Sequence, residues 1–577
     1  FGREALEELI FEREIGIELL MAIAAVTAAL LGQAAEGAML VFLYPISEAL
    51  EGYTEEKTRS AVKALMDLAP KTALVRRDGR ELEIPAEDLR AGDLFIVKPG
   101  QAIASDGRIV DGSSNIDQAP VTGESVPVEK GPGDELFAGS LNGQGALEVQ
   151  ATRDFADNTI SRIIHMVEEA QERKGQRQRF IERFGHYYSP AVLLAGIFIA
   201  LIPPLLFGAD WGEWAGRAVV FIVAAAPCAL VISIPVTMVA TLGTGARQGV
   251  LIKGGIYVEE LARVRVVALD KTGTITQGRP AVTDVVLSGD GAHSEETLLA
   301  LAAGIERRSE HPLAQAINRR AAELDVAPVE TEGFQALSGA GAQAQWRGAT
   351  VAIGRPGYFT QELGLDLGEL AGDVERLRAE GKTVVAVGDD GDVWGLIALR
   401  DNIRANAAQA IAGLDRQGIG RTVMLTGDNE RTAGVIAREV GLDVYHAGLK
   451  PEEKVVKVRE LAGQYGHIAM VGDGVNDAPA LAEATVGVAM GAAGTDVALE
   501  TADVALMADD LEKLVYALAL SRRSQKIVRQ NLVLSIIIIT TLALGAISGA
   551  LGLPAAVLGH ELSELLVIGN GLRMLRA

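Results

Sequence analysis

Six apolar stretches, at about 17–31, 35–53, 189–207, 217–243, 527–547 and 554–572, constrain this chain more than any other feature. Their length and poverty in charge make each a candidate for crossing a bilayer, whose hydrocarbon takes about 20 residues of helix. They come as three pairs, separated by two polar blocks at about 58–185 and 254–525. The turns inside the first and last pairs are short and nearly uncharged. The middle turn, Phe207 to Trp214, carries Trp211 and Trp214, suited to a membrane interface. The opposite ends carry the basic residues: Lys57 and Arg59; Arg173, Lys174, Arg177, Arg179 and Arg183; Arg247 and Lys253; Arg522, Arg523, Lys526 and Arg529; Arg573 and Arg576. The positive-inside rule puts both polar blocks in the cytoplasm. Buried soluble helices imitate one or two such stretches, but not six with one charge bias.

Bulk composition agrees. Of 577 residues, 49% are hydrophobic, and the length implies several domains. A net charge of −23 argues against nucleic acid as a partner, because phosphate backbones attract clustered Lys and Arg. Cys228 is the one cysteine, so no intramolecular disulfide is expected and the redox compartment stays open. No signal peptide is recognised, and Phe1-Gly2-Arg3 reads as a trimmed or truncated start.

The first polar block opens with strand-like segments, Thr72–Arg76, Leu94–Val97 and Ile109–Val110. The second alternates strands with helices, the α/β pattern. In it the apolar run Val264–Leu269 reads as a buried parallel strand. Asp270 ends that run, where open α/β sheets do their chemistry. Lys271-Thr272-Gly273-Thr274 follows, a loop suited to bringing N–H groups and hydroxyls to a phosphate. This makes Asp270 a candidate nucleophile forming an aspartyl-phosphate; a plain surface turn is the alternative for the pentapeptide alone.

Three further pieces converge with it if the block is a doubly wound sheet. Thr426-Gly427-Asp428 follows the strand Thr422–Leu425, and Thr426 and Asp428 suit hydrogen bonding to phosphoryl oxygens. Lys454, in Lys450-Pro-Glu-Glu-Lys, suits neutralising the transferring group. Gly472-Asp473-Gly474-Val475-Asn476-Asp477 follows the strand His467–Val471, and its carboxylates suit Mg²⁺, which takes oxygen ligands. Thr-Gly-Asp and Gly-Asp-Gly are common turns singly; all four pieces in this order at strand ends are a specific signal for phosphoryl transfer.

On these motifs the whole chain resembles a P-type ATPase, within the haloacid-dehalogenase-like phosphotransferase superfamily. The resemblance implies a cycle in which ATP phosphorylates Asp270, the protein switches between inward-open and outward-open states, and the phosphoenzyme is hydrolysed. It implies a membrane helical bundle of six visible spans, a β-rich actuator domain, and an α/β phosphorylation domain with an inserted α+β nucleotide-binding domain. The expected limits are 1–57 for spans one and two, 58–185 for the actuator and 186–250 for spans three and four. The phosphorylation domain is expected at 251–281 and 396–524, the nucleotide-binding domain at 282–395, and spans five and six at 525–577. Mg²⁺ and ATP are the implied cofactors, Mg²⁺ held at Asp270, Thr272 and Asp473, with Lys271, Asn476 and Asp477 supporting the phosphate site.

Ser309-Glu310-His311-Pro312-Leu313 resembles the adenine-contacting motif of the heavy-metal branch. By the same resemblance Glu306, His311, Gly339, Gly341 and Gly354 are nucleotide contacts, although His311 alone reads as a helix-capping or packing residue. Thr122-Gly123-Glu124-Ser125 matches the dephosphorylation loop, in which Glu124 positions the attacking water, with Thr122 and Gly123 beside it.

The fourth stretch contains Ala226-Pro227-Cys228. A proline there frees backbone carbonyls and kinks a helix, and a thiolate binds soft or borderline metals. A buried structural cysteine is the commoner fate of a lone Cys. The last stretch adds His560 and Glu561, with Ser563 and Glu564 a turn later as further candidates. Ionisable groups at membrane depth are functional by default, and His560 and Glu564 share a helix face; a span-end group is the alternative.

Cys-Pro with His-Glu resembles the cobalt/zinc branch of the heavy-metal P-type ATPases. That branch usually reads Ser-Pro-Cys and His-Glu-Gly-Gly/Ser-Thr. Here Ala226 removes an oxygen, and Glu564 adds a carboxylate where threonine is usual. One sulfur, one imidazole and carboxylates suit Zn²⁺, Co²⁺ or Cd²⁺, with Ni²⁺ and Fe²⁺ behind; Cu⁺ prefers paired thiolates. The zinc/cadmium/lead branch ranks second, because Ile536–Ile539 contains no lysine. Glu36 corresponds to a glutamate implicated in metal release, or is a half-exposed turn residue. The implied protein exports a divalent transition metal across the cell (inner) membrane, with its large domains cytoplasmic. Its partners are the ion and the lipid bilayer, and nothing indicates an oligomeric one. The rival readings are a membrane-anchored phosphatase or sensor without transport, and a pump for alkali or alkaline-earth ions.

Overall fold

The computed structural model describes residues 10–11, 17–42, 45–46, 49, 52, 70–77, 80–118, 127–162, 170, 175–289, 293–337, 340–473, 477–491 and 501–576, the side chain of Glu182 excepted. The chain divides into two compact units. One holds residues 1–263, 503–508 and 516–577; the other holds 264–502 and 509–515.

In the first unit a β-rich body follows the apolar residues. Strands β1 (Thr72–Arg77), β2 (Arg80–Pro85), β3 (Leu94–Val97), β4 (Gly107–Asp111), β5 (Glu135–Leu136) and β6 (Leu147–Ala151) form a sheet of order β2-β1-β3-β6-β4-β5. Alternation sets its inner face: Val75, Phe95, Val97, Ile109, Leu147 and Val149 are buried in one cluster.

The apolar stretches are helical. They include α1 (Ile17–Leu30), α2 (Gln176–Phe207), α3 (Trp211–Ala224), α4 (Cys228–Arg247), α5 (Glu512–Ser548) and α6 (Leu553–Gly571). Among the described residues, three helical runs are long and apolar enough to cross a membrane, 176–207, 211–247 and 512–548. The stretch expected at 217–243 is not one continuous helix: α3 stops at Ala224 and α4 starts at Cys228. The turn expected from Phe207 to Trp214 is shorter than its sequence suggests. Asp210 caps α3 by accepting the Glu213 N–H at 2.8 Å, so Trp211 and Trp214 already belong to the helix. The expected stretch 35–53 is helical over 34–42; much of the rest lies outside the described residues.

In the second unit two sheets share the chain. Strands β7 (Val266–Asp270), β14 (Arg421–Leu425), β15 (Val444–His446), β16 (Ile468–Gly472) and β17 (Val486–Ala489) run parallel in the order β17-β16-β7-β14-β15. β7 is central and wholly buried, so it reads as a continuous apolar run rather than an alternating one. Burying each Val or Leu of such a strand contributes roughly 1.5–3 kcal/mol.

The inserted sheet is antiparallel, with β8 (Thr276–Leu287), β9 (Glu332–Leu337), β10 (Gly341–Trp346), β11 (Ala349–Gly354), β12 (Thr383–Asp389) and β13 (Val393–Ile403) in the order β8-β13-β12-β11-β10-β9. Helices Glu295–Glu306 and Pro312–Glu323 bury Leu298, Leu301, Ile305 and Ile317 against Val351, Ile353 and Ile397. The β8–β13 ladder pairs Thr276 with Ile403, so the sheet extends beyond 282–395 at both ends.

Candidate active site and metal cluster

Asp270 is the last residue of β7, and the loop after it turns through Gly273 at φ 74°. A side chain there would be strained by that backbone angle, although its Cβ would make only an ordinary contact, 3.5 Å from the Asp473 Cβ. Asp473 follows β16, the strand paired with β7. Lys454 comes from helix Pro451–Tyr465, whose start is fixed by Pro451 and by Glu453 accepting the Lys450 N–H at 2.8 Å. Its ammonium reaches both carboxylates, Asp270 Oδ1 at 2.5 Å and Asp477 Oδ1 at 2.8 Å. Lys271 donates to Asp428 Oδ2 at 2.8 Å. The Thr426 hydroxyl accepts the Asp428 N–H at 3.1 Å.

The charges do not balance around Asp270. Burial, reinforced by the Asp477 carboxylate, pushes the Asp270 carboxyl up to about 6 against the pull of Lys454. Burial raises Asp477 as well. Burial also opposes the charge on Lys454, but Asp270 and Asp477 outweigh it and hold the ammonium above the ordinary lysine range. Asp270, Asp473 and Asp477 therefore place three carboxylates around one lysine, since Lys271 is engaged by Asp428. Such a donor set fits a hard divalent cation.

Arg404 belongs to this site and was not legible beforehand. Its buried guanidinium donates to the carbonyls of Gly273 and Thr274, each at 2.9 Å, and to the Asp509 carbonyl at 2.8 Å. Asp401 accepts from the Thr276 hydroxyl at 2.6 Å and the Arg279 N–H at 3.1 Å. Together they clamp the loop that follows Asp270. Asp401 pairs with Pro280 in the β8–β13 ladder and Arg404 follows the last strand residue, Ile403, places that no sequence pattern marks. Thr272 is exposed and lines a cleft of about 220 Å³ with Lys271, Asp401 and Asp428.

A larger cleft of about 490 Å³ lies in the inserted domain, lined by Glu306, His311, Gly341, Gly354 and Phe334 among others. His311 does cap its helix, its Nδ1 accepting the Leu313 N–H at 3.2 Å. Burial raises the Glu306 carboxyl, partly offset by a hydrogen bond from Ser309. Gly341 has φ 152°, and a Cβ on it would sit 2.0 Å from the Ile353 carbonyl oxygen, so β10 and β11 close on each other only with glycine there.

In the first unit, Cys228 Sγ, a His560 ring nitrogen and a Glu564 carboxylate oxygen lie within 4.8 Å of one another. The break before α4 supplies the cysteine: Pro227 has no N–H, and its carbonyl accepts from Leu230 and Val231, each at 3.0 Å. One helical turn separates His560 from Glu564, with His560 Nε2 3.3 Å from Glu564 Oε1. Glu561, expected beside His560, is not in this cluster; it is half-buried on a different face of α6. The Ser563 hydroxyl is spent on the His560 carbonyl at 2.6 Å. Ala226 is fully buried among Met21, Ala24 and Val223. Glu36 is half-buried in the helix 34–42, outside the cluster. Thr122, Gly123, Glu124, Gly339 and Asn476 lie outside the described residues.

Comparison with known proteins bears on all of these parts. The haloacid dehalogenase-like hydrolase family matches residues 264–485, and the P-type ATPase actuator domain matches residues 67–168. These two domains define the class, a phosphoryl-transfer enzyme that carries an actuator. A probable cadmium-transporting ATPase of Alkalihalophilus pseudofirmus is 44% identical over 98% of this chain and 78% of its own length. The zinc-transporting ATPase of Bacillus subtilis is 43% identical, covering 100% of this chain and 89% of its own. The crystal structure of a zinc-transporting PIB-type ATPase in the E2.Pi state aligns with TM-score 0.66 and 41% identity, over 100% of this chain and 92% of that one. The chain belongs to the heavy-metal-transporting P-type ATPases.

Proposed function

We propose that this P-type ATPase exports a divalent transition metal, zinc or cadmium first and cobalt next, from the cytoplasm through six membrane spans. The observation that carries the cargo assignment is the meeting of one thiol, one imidazole and one carboxylate between α4 and α6. Such a mixed sulfur, nitrogen and oxygen set suits a borderline ion. The relatives above, named as cadmium- and zinc-transporting, support the same order. Glu561 and Ser563 are then neighbours of the ligands rather than ligands, and Glu36 serves the release path.

ATP binds in the cleft lined by Glu306, His311 and Gly341, with Gly339 beside it. An Asp270 carboxylate oxygen attacks the γ-phosphorus, and the bond to the ADP oxygen breaks. Lys454 neutralises charge on the transferring group, the Thr426 hydroxyl and the Asp428–Lys271 pair hold its oxygens, and Arg404 keeps the loop in place. Asp270, Asp473 and the Thr272 backbone would hold Mg²⁺, which when bound supplies charge neutralisation at the phosphoryl oxygens. Asn476 supports the site from the adjacent loop. Glu124, flanked by Thr122 and Gly123, positions the water that later hydrolyses the aspartyl-phosphate, taking its proton. The protein sits in the cell (inner) membrane with both large blocks in the cytoplasm, as the basic residues at one end of the helices support.

The test is the ATPase activity of purified protein across Zn²⁺, Cd²⁺, Co²⁺, Ni²⁺, Fe²⁺ and Cu⁺. Stimulation by divalent borderline ions that Cys228→Ala removes is expected. Equal stimulation of wild type and Cys228→Ala by every ion would overturn the cargo site.

A further inference from the structure

α4 and α5 carry a stripe of buried polar side chains that the reaction described above leaves unused. On α4, Ser233, Thr237, Thr241 and Thr244 recur at helical spacing and are at most 3% exposed. On α5, Ser521, Ser524 and Ser535 are 0% exposed. With Gln525 and Asn531 they fall within about a third of the helix circumference, at 3.6 residues per turn. The stripes meet where the Ser524 and Thr241 hydroxyls lie 2.9 Å apart, Ser524 donating because the Thr241 proton goes to the Thr237 carbonyl. The basic residues Arg522, Arg523, Lys526 and Arg529 occupy the other side of α5 by the same spacing.

Helix register leads this stripe to the Cys228 cluster. Asn531 donates to the Val567 carbonyl at 3.2 Å, and a Cβ on Gly559 would meet Leu542 at 2.9 Å. α5 and α6 are therefore antiparallel, with Ser535 level with Glu564. The Thr241–Ser524 bond likewise brings Ser535 level with the first turn of α4. A Cβ on Gly571 would lie 3.0 Å from Thr237 Oγ1, so α4 and α6 run in the same direction and Cys228 falls beside His560 and Glu564. From Thr241 to Cys228 the stripe rises about 20 Å at 1.5 Å per residue.

The two helices treat their polar groups differently. On α4 the hydroxyls of Ser233, Thr237 and Thr241 bond to carbonyls one turn back, an ordinary way to bury them. On α5, Ser521 Oγ, Ser535 Oγ and both amide atoms of Gln525 have no protein partner among the described residues. A buried amide or hydroxyl without a partner is costly, and proteins keep such groups where water or a ligand reaches them.

We propose that Ser521, Ser524, Gln525 and Ser535, beside Thr241, line a hydrated access route for a divalent cation. It leads from the cytoplasmic end of α5 to Cys228, His560 and Glu564. Neutral hydroxyl and amide oxygens replace hydration water weakly, so an ion passes along them and lodges only where thiolate, imidazole and carboxylate meet. The inference rests on the transport reading and adds the path by which cargo arrives.

The test uses the full chain. Ser521→Cys and Ser535→Cys, each in a Cys228→Ala background that still forms phosphoenzyme from inorganic phosphate, are exposed to a small charged methanethiosulfonate reagent. Both are expected to be modified, although neither is exposed in the structure. In the wild-type background, Gln525→Leu is expected to raise the Zn²⁺ concentration for half-maximal ATPase about tenfold. Its saturating rate is kept, and Gln525→Asn recovers most of the shift. Unmodified cysteines at both positions, or a Gln525→Leu titration that overlays wild type, would overturn the route. A wild-type protein that no metal stimulates would overturn the transport reading instead, and the labelling result would still stand.

Discussion

The site around Asp270 and the cluster at Cys228 are both buried groups of ionisable side chains, yet they solve opposite problems. Around Asp270 the protein installs its own cation, Lys454, between two carboxylates and still leaves excess negative charge. At Cys228 the donors are a thiol, an imidazole and a carboxylate of mixed hardness. The first arrangement drives covalent chemistry by charge neutralisation. The second holds an ion by ligand type, and must also release it. The difference teaches where a substitution should be catastrophic and where it should be graded.

The largest expected effect is at Asp270. Asp270→Asn replaces the nucleophilic carboxylate with a neutral amide, so acid-stable phosphoenzyme from radiolabelled ATP should fall by at least about a thousandfold, as for other nucleophile losses. Phosphoenzyme at even a tenth of the wild-type level would end the claim that the two sites differ in kind.

The same substitution tests the charge imbalance through stability. Folded Asp270 titrates near 6, above the 3.8 of an ordinary aspartate. The folded state thus binds this proton more tightly than the unfolded chain. That contribution is fully present below about pH 4 and is lost as pH rises through about 6. The difference corresponds to about 3 kcal/mol at neutral pH. Asp270→Asn should therefore melt higher than wild type at pH 7 in the absence of Mg²⁺, with the gap closing between pH 6 and pH 4. A gap independent of pH would show that Lys454 already neutralises the site.

At the cluster the expectation is graded. Cys228→Ala, His560→Ala and Glu564→Ala should each weaken metal activation by about a hundredfold, or 2–3 kcal/mol, while phosphorylation by inorganic phosphate persists. Glu561→Ala should cost less than Glu564→Ala, because only Glu564 lies with the other two donors. The reverse order, read from metal titrations of ATPase activity, would return the ligand role to Glu561.

How much of this was legible in the sequence follows from how each site is assembled. Asp270, Thr426 and Asp473 each follow an apolar strand that pairs in one parallel sheet, so the run of Val, Leu and Ile announced both the fold and the place of the chemistry. Lys454 was readable as a cation, but its simultaneous grip on Asp270 and Asp477 depends on two helix starts meeting in space. Arg404 was invisible, since a lone arginine at a strand end carries no pattern. On α6 the sequence placed two glutamates near His560, and the choice between them is a matter of helix phase against α4, which one strand of sequence cannot supply. The hydroxyls of α5 were hidden for a similar reason: scattered serines in an apolar stretch read as tolerated until a facing helix aligns them.

The smallest effect expected sharpens the comparison most finely. Ala226→Ser restores an oxygen beside Cys228, in a position where Ala226 is fully buried among apolar side chains of α1 and α3. A serine there would have its hydroxyl satisfied by a carbonyl one turn back rather than by cargo, as Thr237 and Thr241 are on α4. The cost to stability should be about 1 kcal/mol, and the order of activation by Zn²⁺, Cd²⁺ and Co²⁺ should change by less than about threefold, under 1 kcal/mol. A tenfold shift toward Co²⁺, read in parallel metal titrations of the purified variant, would mean that residue 226 does face the ion. The ligand set would then be four donors with an oxygen contributed by the helix break, and ligand type at this site would be set by the loop before α4 as much as by α6.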